Sequence, residues 1–187
     1  RNIRTCATSL LIAVLTTACT PSLEDGLAAY EDKDFEQAAK ILAGHPESGE
    51  ASYAMYRMLT EGQARAEDAI TADKWLVRAA SLGQLDALLG QGSRLVTAKS
   101  PSPQELREGL AMLERAAAAG KKEAFVILGE FYLTGLGRDG GRGEAYLLRA
   151  APLAKASWGL AWAYELGQSG LPRNQAKALG QWRLVEA

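Results

Sequence analysis

Apolar residues recur along this chain at helical spacing, and the pattern itself repeats. The segments "WLVRAASLG", "MLERAAAAG" and "YLLRAAPLA" begin at Trp75, Met112 and Tyr146, at spacings of 37 and 34 residues. Each begins with a large apolar residue, has an arginine three positions later and then has two alanines. Trp182 begins a fourth copy 36 residues beyond Tyr146. Because such a period is typical of stacked structural repeats, we interpret these segments as equivalent helices.

A second pattern lies between the copies of the first. Residues 124–135 ("AFVILGEFYLTG") and 156–167 ("ASWGLAWAYELG") align at an offset of 32, and weaker versions begin at Ala51 and Ala87. Small residues allow helices to approach closely, while large residues at helical spacing form the buried seam. We therefore predict that each repeat is a helix, a turn and a second helix. The predicted core residues are Leu128, Tyr132 and Tyr164 on first helices and Trp75, Tyr146 and Trp182 on second helices.

Local signals near the start of the array indicate a slightly different hairpin. Residues 26–42, "GLAAYEDKDFEQAAKIL", place Asp34 and Phe35 in a turn and Ala38 in the helix that follows. This arrangement resembles the tetratricopeptide motif, in which an aromatic residue closes the turn. Since no segment has the pattern of a strand, we predict an all-α chain. Capping boxes are predicted at two helix starts, by Ser22 with Asp25 and by Ser102 with Glu105.

The two repeated patterns together resemble a known repeat class. The block A-x-x-x-L-G-x-x-Y-x-x-G, followed by a W-x-x-R-A-A-x-x-G-like block, is similar to the Sel1-like repeat, and its best copy spans residues 124–151. The resemblance covers residues 23–187 and implies a right-handed superhelical solenoid of helix-turn-helix repeats. Stacked repeats present extended binding surfaces. The resemblance therefore implies a non-enzymatic scaffold for protein–protein interaction.

The first residues indicate export and a lipid anchor. Arg1 and Arg4 precede the apolar run Leu10 to Leu15, which is followed by the small residues of "TTAC". A cationic start, a short apolar stretch and small residues before a cleavage site are typical of a signal peptide. "TTAC" resembles a bacterial lipobox, which implies cleavage before Cys19 and lipid attachment to its sulfur. An ordinary signal peptide with an incidental cysteine is the alternative.

The sequence thus predicts three regions. These are a lipoprotein signal peptide (1–18), a tetratricopeptide-like hairpin (19–50) and a Sel1-like repeat array (51–187). We expect the last repeat to be interrupted, because "GQWRLVEA" is typical of the first half of a helix. We also expect its outer face to expose apolar side chains and to favour self-association.

One segment is similar to a more specific family. Residues 92–135, with Arg94, Leu95, Ala98 and Lys99 before a proline, resemble the N-terminal region of the AlgK family of alginate-export lipoproteins. The lipobox and the hairpin that follows it occur in the same order in that family. The resemblance implies an outer-membrane lipoprotein that faces the periplasm within an exopolysaccharide secretion complex. Its partners there would be an outer-membrane export porin and periplasmic polymer-modifying proteins.

Composition limits the other possibilities. Without residues 1–18 the chain has 19 basic and 22 acidic residues, a balance that argues against a nucleic-acid partner. Of the two cysteines only Cys19 remains, so no disulfide framework is expected. Lone His45 lies in a loop and offers neither a catalytic triad nor a zinc site. We therefore expect no catalytic residue, metal or cofactor.

Three alternatives remain open from the sequence. A periplasmic immunity or regulatory lipoprotein, which would bind one toxin or enzyme, has a similar size and repeat content. An enzyme acting on peptidoglycan or β-lactams is a further class, although its Sel1-like members are rich in cysteine. Trp158, Trp162 and Tyr164 could form an aromatic platform for a sugar, but their helical spacing places part of this set in the core. The match of "GLGRDG" (135–140) to a dinucleotide fingerprint is not a further alternative, because that fingerprint requires a preceding strand and a helix is predicted before this stretch.

Overall fold

The computed structural model describes residues 21–64, 71–151 and 153–186, so the predicted signal peptide and Cys19 lie outside the described residues. All regular structure in the described part of the chain is helical. One short 3₁₀ turn spans Gln168–Gly170. The α-helices are α1 (Leu23–Glu31), α2 (Phe35–Leu42), α3 (Gly49–Thr60), α4 (Thr71–Ser81), α5 (Leu85–Val96), α6 (Pro103–Ala118), α7 (Lys122–Thr134), α8 (Gly140–Ala150), α9 (Ala154–Leu166) and α10 (Gln175–Glu186).

These helices form five hairpins that stack in chain order. The extensive contacts lie within the pairs α1/α2, α3/α4, α5/α6, α7/α8 and α9/α10. Each hairpin then packs on the next through its second helix, and α7 also contacts α5 and α9. Every described hairpin thus contacts its sequence neighbours, which is the arrangement of a solenoid.

The helix starts follow the local signals in the sequence. Both predicted capping boxes are confirmed: the Ser22 and Ser102 hydroxyls accept from the N–H groups of Asp25 and Glu105, whose carboxylates accept in return. Asp34 caps α2, and Phe35 is the first residue of that helix. Such caps satisfy N–H groups that have no partner within the helix, and each contributes about 1 kcal/mol.

Buried side chains form two clusters that meet at α4. The smaller one joins α1, α2 and α3 around Leu42 and Met58, and Trp75 packs against it. The larger one runs from Leu76 to Ala178 and includes Leu113, which is fully buried. Burying a leucine side chain contributes about 1.5–3 kcal/mol, so these seams account for much of the stability of the stack.

Glycine permits the closest crossings inside two hairpins. A Cβ on Gly129 would lie 2.5 Å from the Leu147 Cγ and 3.2 Å from the Gly143 carbonyl oxygen. In hairpin α5/α6, a Cβ on Gly92 would lie 2.9 Å from the Gly109 carbonyl oxygen. Neither crossing leaves room for a larger residue without a shift of the helices.

No described helix is long and apolar enough to cross a membrane.

Candidate functional site

The predicted core residues occupy two kinds of environment. Leu128, Tyr132 and Tyr164 are buried on the first helices α7 and α9. Trp75, Tyr146 and Trp182 lie on the second helices α4, α8 and α10 and are only half-buried. The largest buried side chains of α4, α6 and α8 come one residue after the large residue of each repeated segment, at Leu76, Leu113 and Leu147.

The register of α10 differs by one position from the sequence alignment. Asp139 and Asn174 cap α8 and α10 by accepting from the N–H groups of the residues three positions later. Trp182 lies eight residues after Asn174, as Leu147 lies eight residues after Asp139. Trp182 is therefore equivalent to Leu147 and not to Tyr146, because the cap fixes the register of the helix.

The equivalent residues Tyr132 and Tyr164 each have a basic side chain over the ring. The Arg142 guanidinium lies 4.3 Å from the centroid of the Tyr132 ring, and the Lys177 ammonium lies 4.8 Å from that of Tyr164. Arg142 and Lys177 are each three residues after the capping residue of their helix. Contacts of this kind contribute about 0.5–1 kcal/mol at exposed sites, so they help to fix α8 and α10 against α7 and α9.

The rest of each tyrosine's surroundings differs between the hairpins. Tyr132 stacks on Tyr146 with ring centroids 5.8 Å apart, and Tyr146 in turn contacts Phe125. The Tyr164 hydroxyl instead donates to Glu144, which also accepts from Lys177 at 3.0 Å. The hydrogen bond from Tyr164, followed by that from Lys177, lowers the pKa of Glu144. Burial is the main cause that raises the pKa of Tyr164.

A groove between α7 and α9 carries the largest exposed aromatic residue of the array. The volume of this groove is about 330 Å³. Trp158, 51 % exposed, makes an edge-to-face contact with Trp162, which makes a similar contact with Trp182. The Trp162 indole nitrogen is buried and has no hydrogen-bond partner within the described residues. The residues that line the groove are Glu130, Leu133, Thr134, Trp158, Gly159, Trp162, Leu166 and Gln168.

The groove offers apolar contact with polar groups at one side. Leu166 is 48 % exposed, and the Glu130 carboxylate lies 3.3 Å from the Lys155 ammonium across the two helices. An exposed apolar surface with a polar margin is typical of a contact site. We call these lining residues the α7–α9 groove. Sequence analysis singled out Trp158 and Trp162 as part of a possible aromatic platform. It did not find Glu130 and Gln168, because their place in the groove depends on how the helices pack.

Two other predicted features, His45 and the stretch 135–140, do not line this groove. His45 is half-buried, and its ring nitrogens lie 3.2 Å from a Glu47 carboxylate oxygen and 3.3 Å from the Pro21 carbonyl oxygen. The stretch 135–140 follows helix α7 and leads into α8, so it lacks the strand that a dinucleotide site requires. Among the described residues, no group of three or more His, Cys, Asp or Glu could hold a metal ion.

Solved structures share this architecture. A Sel1 repeat protein from Oxalobacter formigenes superposes with a TM-score of 0.69 at 22% identity, covering 92% of this chain and 75% of that protein. A protective antigen present in uropathogenic Escherichia coli strains, which displays an SLR fold, has a TM-score of 0.70 at 16% identity. That match covers 90% of this chain and 38% of the antigen. No family model and no curated protein sequence matches this chain.

These matches confirm the predicted fold class. The described chain is an all-α solenoid of helix-turn-helix repeats, and it has the right-handed architecture of Sel1-repeat proteins. The sequence alignment identified the repeating unit, because small residues at the crossings and large residues at the seams recur with it. The pairing of first helices across hairpins, which creates the α7–α9 groove, was not visible in that alignment.

Proposed function

We propose that this protein is a non-enzymatic scaffold for protein–protein interaction and that the α7–α9 groove is its contact site. The observation that carries the proposal is the exposure of Trp158 and Leu166 on α9. Tryptophan is enriched among residues that dominate binding energy, particularly where a polar rim excludes water. A groove formed by two neighbouring hairpins would admit apolar side chains of a partner, and Glu130 would select the polar groups beside them.

We further propose that the scaffold is lipid-anchored in the cell envelope. The lipobox-like "TTAC" supports attachment at Cys19, and the resemblance of residues 92–135 to alginate-export lipoproteins supports a place in an exopolysaccharide secretion complex. The anchor would hold the array at the outer membrane, facing the periplasm. Tethering raises the effective concentration of two partners without adding contacts, so loss of the lipid would weaken assembly while the repeats stay folded.

Leu166 and Leu148 provide a matched pair for testing the groove. The two leucines are 48 % and 50 % exposed, but Leu148 lies on α8 outside the groove. The probes are an outer-membrane export porin and a periplasmic polymer-modifying protein of an exopolysaccharide secretion system, with binding measured by isothermal titration calorimetry. Leu166→Lys should weaken binding by roughly tenfold or more, a loss of about 1.4 kcal/mol, while Leu148→Lys should leave it unchanged. Absence of binding, or equal losses in both variants, would refute the proposal.

The anchor is tested separately. Mass spectrometry of the mature protein from a bacterial host should find acyl chains on Cys19, and Cys19→Ala should abolish them. Cell fractionation should then place the wild-type chain in the outer membrane. An unmodified Cys19, or cleavage at another bond, would contradict the lipoprotein assignment without affecting the groove.

A further inference from the structure

Glu144 links a tyrosine and a cation of the hairpin that follows it. Its carboxylate accepts hydrogen bonds from the Tyr164 hydroxyl and, at 3.0 Å, from the Lys177 ammonium. Glu144 belongs to α8, the second helix of the preceding hairpin, whereas its two partners belong to α9 and α10. In hairpin α9/α10, a carboxylate from a neighbouring helix therefore joins the buried tyrosine to the cation over its ring.

Leu110 holds the position on α6 that Glu144 holds on α8. The two second helices align at an offset of 34 residues, because Gly109 and Gly143 both lie where the second helix crosses a glycine of the first helix. Leu110 is partly buried and packs against the larger core cluster. The helix that precedes α8 therefore supplies an apolar side chain at the position where α8 supplies a carboxylate to the next hairpin.

The tyrosine and the cation of hairpin α7/α8, Tyr132 and Arg142, have no such carboxylate within the described residues. The Arg142 guanidinium lies 4.3 Å from the Tyr132 ring centroid, and it forms no ion pair in the described part of the chain. Helix α6 does bring Glu114 to this side, but that carboxylate accepts from the Tyr146 hydroxyl at 3.4 Å. The place that Glu144 takes in the next hairpin is thus left without an acidic group.

A second guanidinium lies on the same side of α8. Arg149 is exposed, as Arg142 is, and lies 4.3 Å from the Phe125 ring centroid. Among the residues that the structure describes, Arg149 also forms no ion pair. The two arginines are seven residues apart, which places them on one face of the helix about 10.5 Å apart, with Tyr146 between them. We call Arg142, Tyr146 and Arg149 the α8 strip.

We propose that the α8 strip binds an acidic helix of a partner protein, one of whose carboxylates lies beside Arg142 as Glu144 lies beside Lys177. A planar guanidinium matches the two oxygens of a carboxylate, and arginine can stack on an aromatic ring while it does so. Acidic residues seven positions apart on the partner helix have the same spacing as the two arginines. The strip shares no residue with the α7–α9 groove, so this second contact site does not depend on the Leu166 test.

The test measures binding of a defined peptide to the full chain by isothermal titration calorimetry. The peptide is an alanine-based helix of about 20 residues with two glutamates seven positions apart, and its control has glutamines instead. The first peptide should bind, more weakly as salt is raised, and the control should not. Arg142→Gln should weaken binding by roughly fivefold or more. Lys177→Gln removes the equivalent cation, which Glu144 already occupies, and should leave binding unchanged.

A substitution at Leu110 supplies the missing carboxylate from within the array. Leu110→Glu should compete with the peptide and weaken its binding, whereas Leu110→Gln, which has a similar shape and no charge, should have a smaller effect. Circular dichroism of each variant establishes that the repeats remain helical. Absence of peptide binding, equal effects of Arg142→Gln and Lys177→Gln, or equal effects of the two Leu110 variants would overturn the proposal. Binding of polygalacturonate or of phosphatidylglycerol vesicles in place of the peptide would also overturn it, because the strip would then recognise a polymer or a lipid surface.

Discussion

Hairpins α7/α8 and α9/α10 have the same backbone plan but hold their helices together differently. In α7/α8 the helices cross at Gly129 and Gly143, and the tyrosine of the first helix stacks on the aromatic residue of the second. In α9/α10 the equivalent crossing positions are alanines, Ala161 and Ala178, both buried. The tyrosine there makes a charged hydrogen bond back to the preceding hairpin, through Glu144.

The two hairpins thus differ in where their stabilising contacts lie: some join the two helices of one hairpin, and others join one hairpin to the next. The glycine crossing and the Tyr132–Tyr146 stack join α7 to α8, whereas the Tyr164–Glu144–Lys177 contacts join α9 and α10 to α8. In repeat proteins, contacts within each repeat and the interfaces between neighbouring repeats both contribute to stability. Substitutions at equivalent positions should therefore differ in size between the two hairpins.

The largest effect is expected from the equivalent leucines of the first helices. Leu128 and Leu160 are both fully buried, so replacement by alanine should lower the free energy of unfolding by about 2–5 kcal/mol in each case. Within the described residues, α7/α8 packs on hairpins at both sides and α9/α10 on one. Leu128→Ala should therefore cost more than Leu160→Ala in urea unfolding. The reverse order would contradict the assigned stacking.

The glycine crossing should give the next largest effect. In Gly129→Ala the new methyl group would meet Leu147 at 2.5 Å and the Gly143 carbonyl oxygen at 3.2 Å, so the helices must move apart. Overpacking of this kind costs about 1–3 kcal/mol. Ala161→Gly, at the equivalent crossing, should cost about 0.5–1 kcal/mol because glycine loses more backbone entropy in a helix. Thermal unfolding measures both, and a neutral Gly129→Ala would show that the crossing is loose.

The sequence predicted the repeating unit more accurately than the side chains that fill its core. Leu128 recurs with its neighbours at a fixed spacing, so its place followed from alignment. Trp75 and Tyr146 are half-buried beside fully buried Leu76 and Leu147. Two adjacent positions of a helix both border the seam, and only the crossing of the two helices determines which one points inward. The register of Trp182 was missed for a related reason, since Asn174 sets it by capping.

The tyrosine hydroxyls should give a smaller difference. Tyr164→Phe removes the donor to Glu144, and hydrogen bonds to charged groups contribute about 1.5–3 kcal/mol. Because Glu144 keeps its bond from Lys177 at 3.0 Å, we expect a loss of about 1.5 kcal/mol. Tyr132→Phe keeps the ring that stacks on Tyr146 and contacts Arg142, so its effect should stay within about 0.5 kcal/mol. Equal losses in urea unfolding would remove the proposed distinction between the hairpins.

The smallest effect is a pH dependence that belongs to the α8–α9–α10 contacts. The hydrogen bonds from Tyr164 and then Lys177 lower the pKa of Glu144 in the folded chain. A carboxylate with a depressed folded pKa contributes stability above its ordinary pKa of about 4.3, and that contribution is lost as the pH falls through the folded value.

The free energy of unfolding should therefore fall less steeply with acid in Glu144→Gln than in the wild type. Glu108→Gln, on the exposed side of α6, controls for the loss of one charge. If the acid dependence of Glu144→Gln equals that of Glu108→Gln, Glu144 does not couple hairpin α9/α10 to the rest of the stack through its charge.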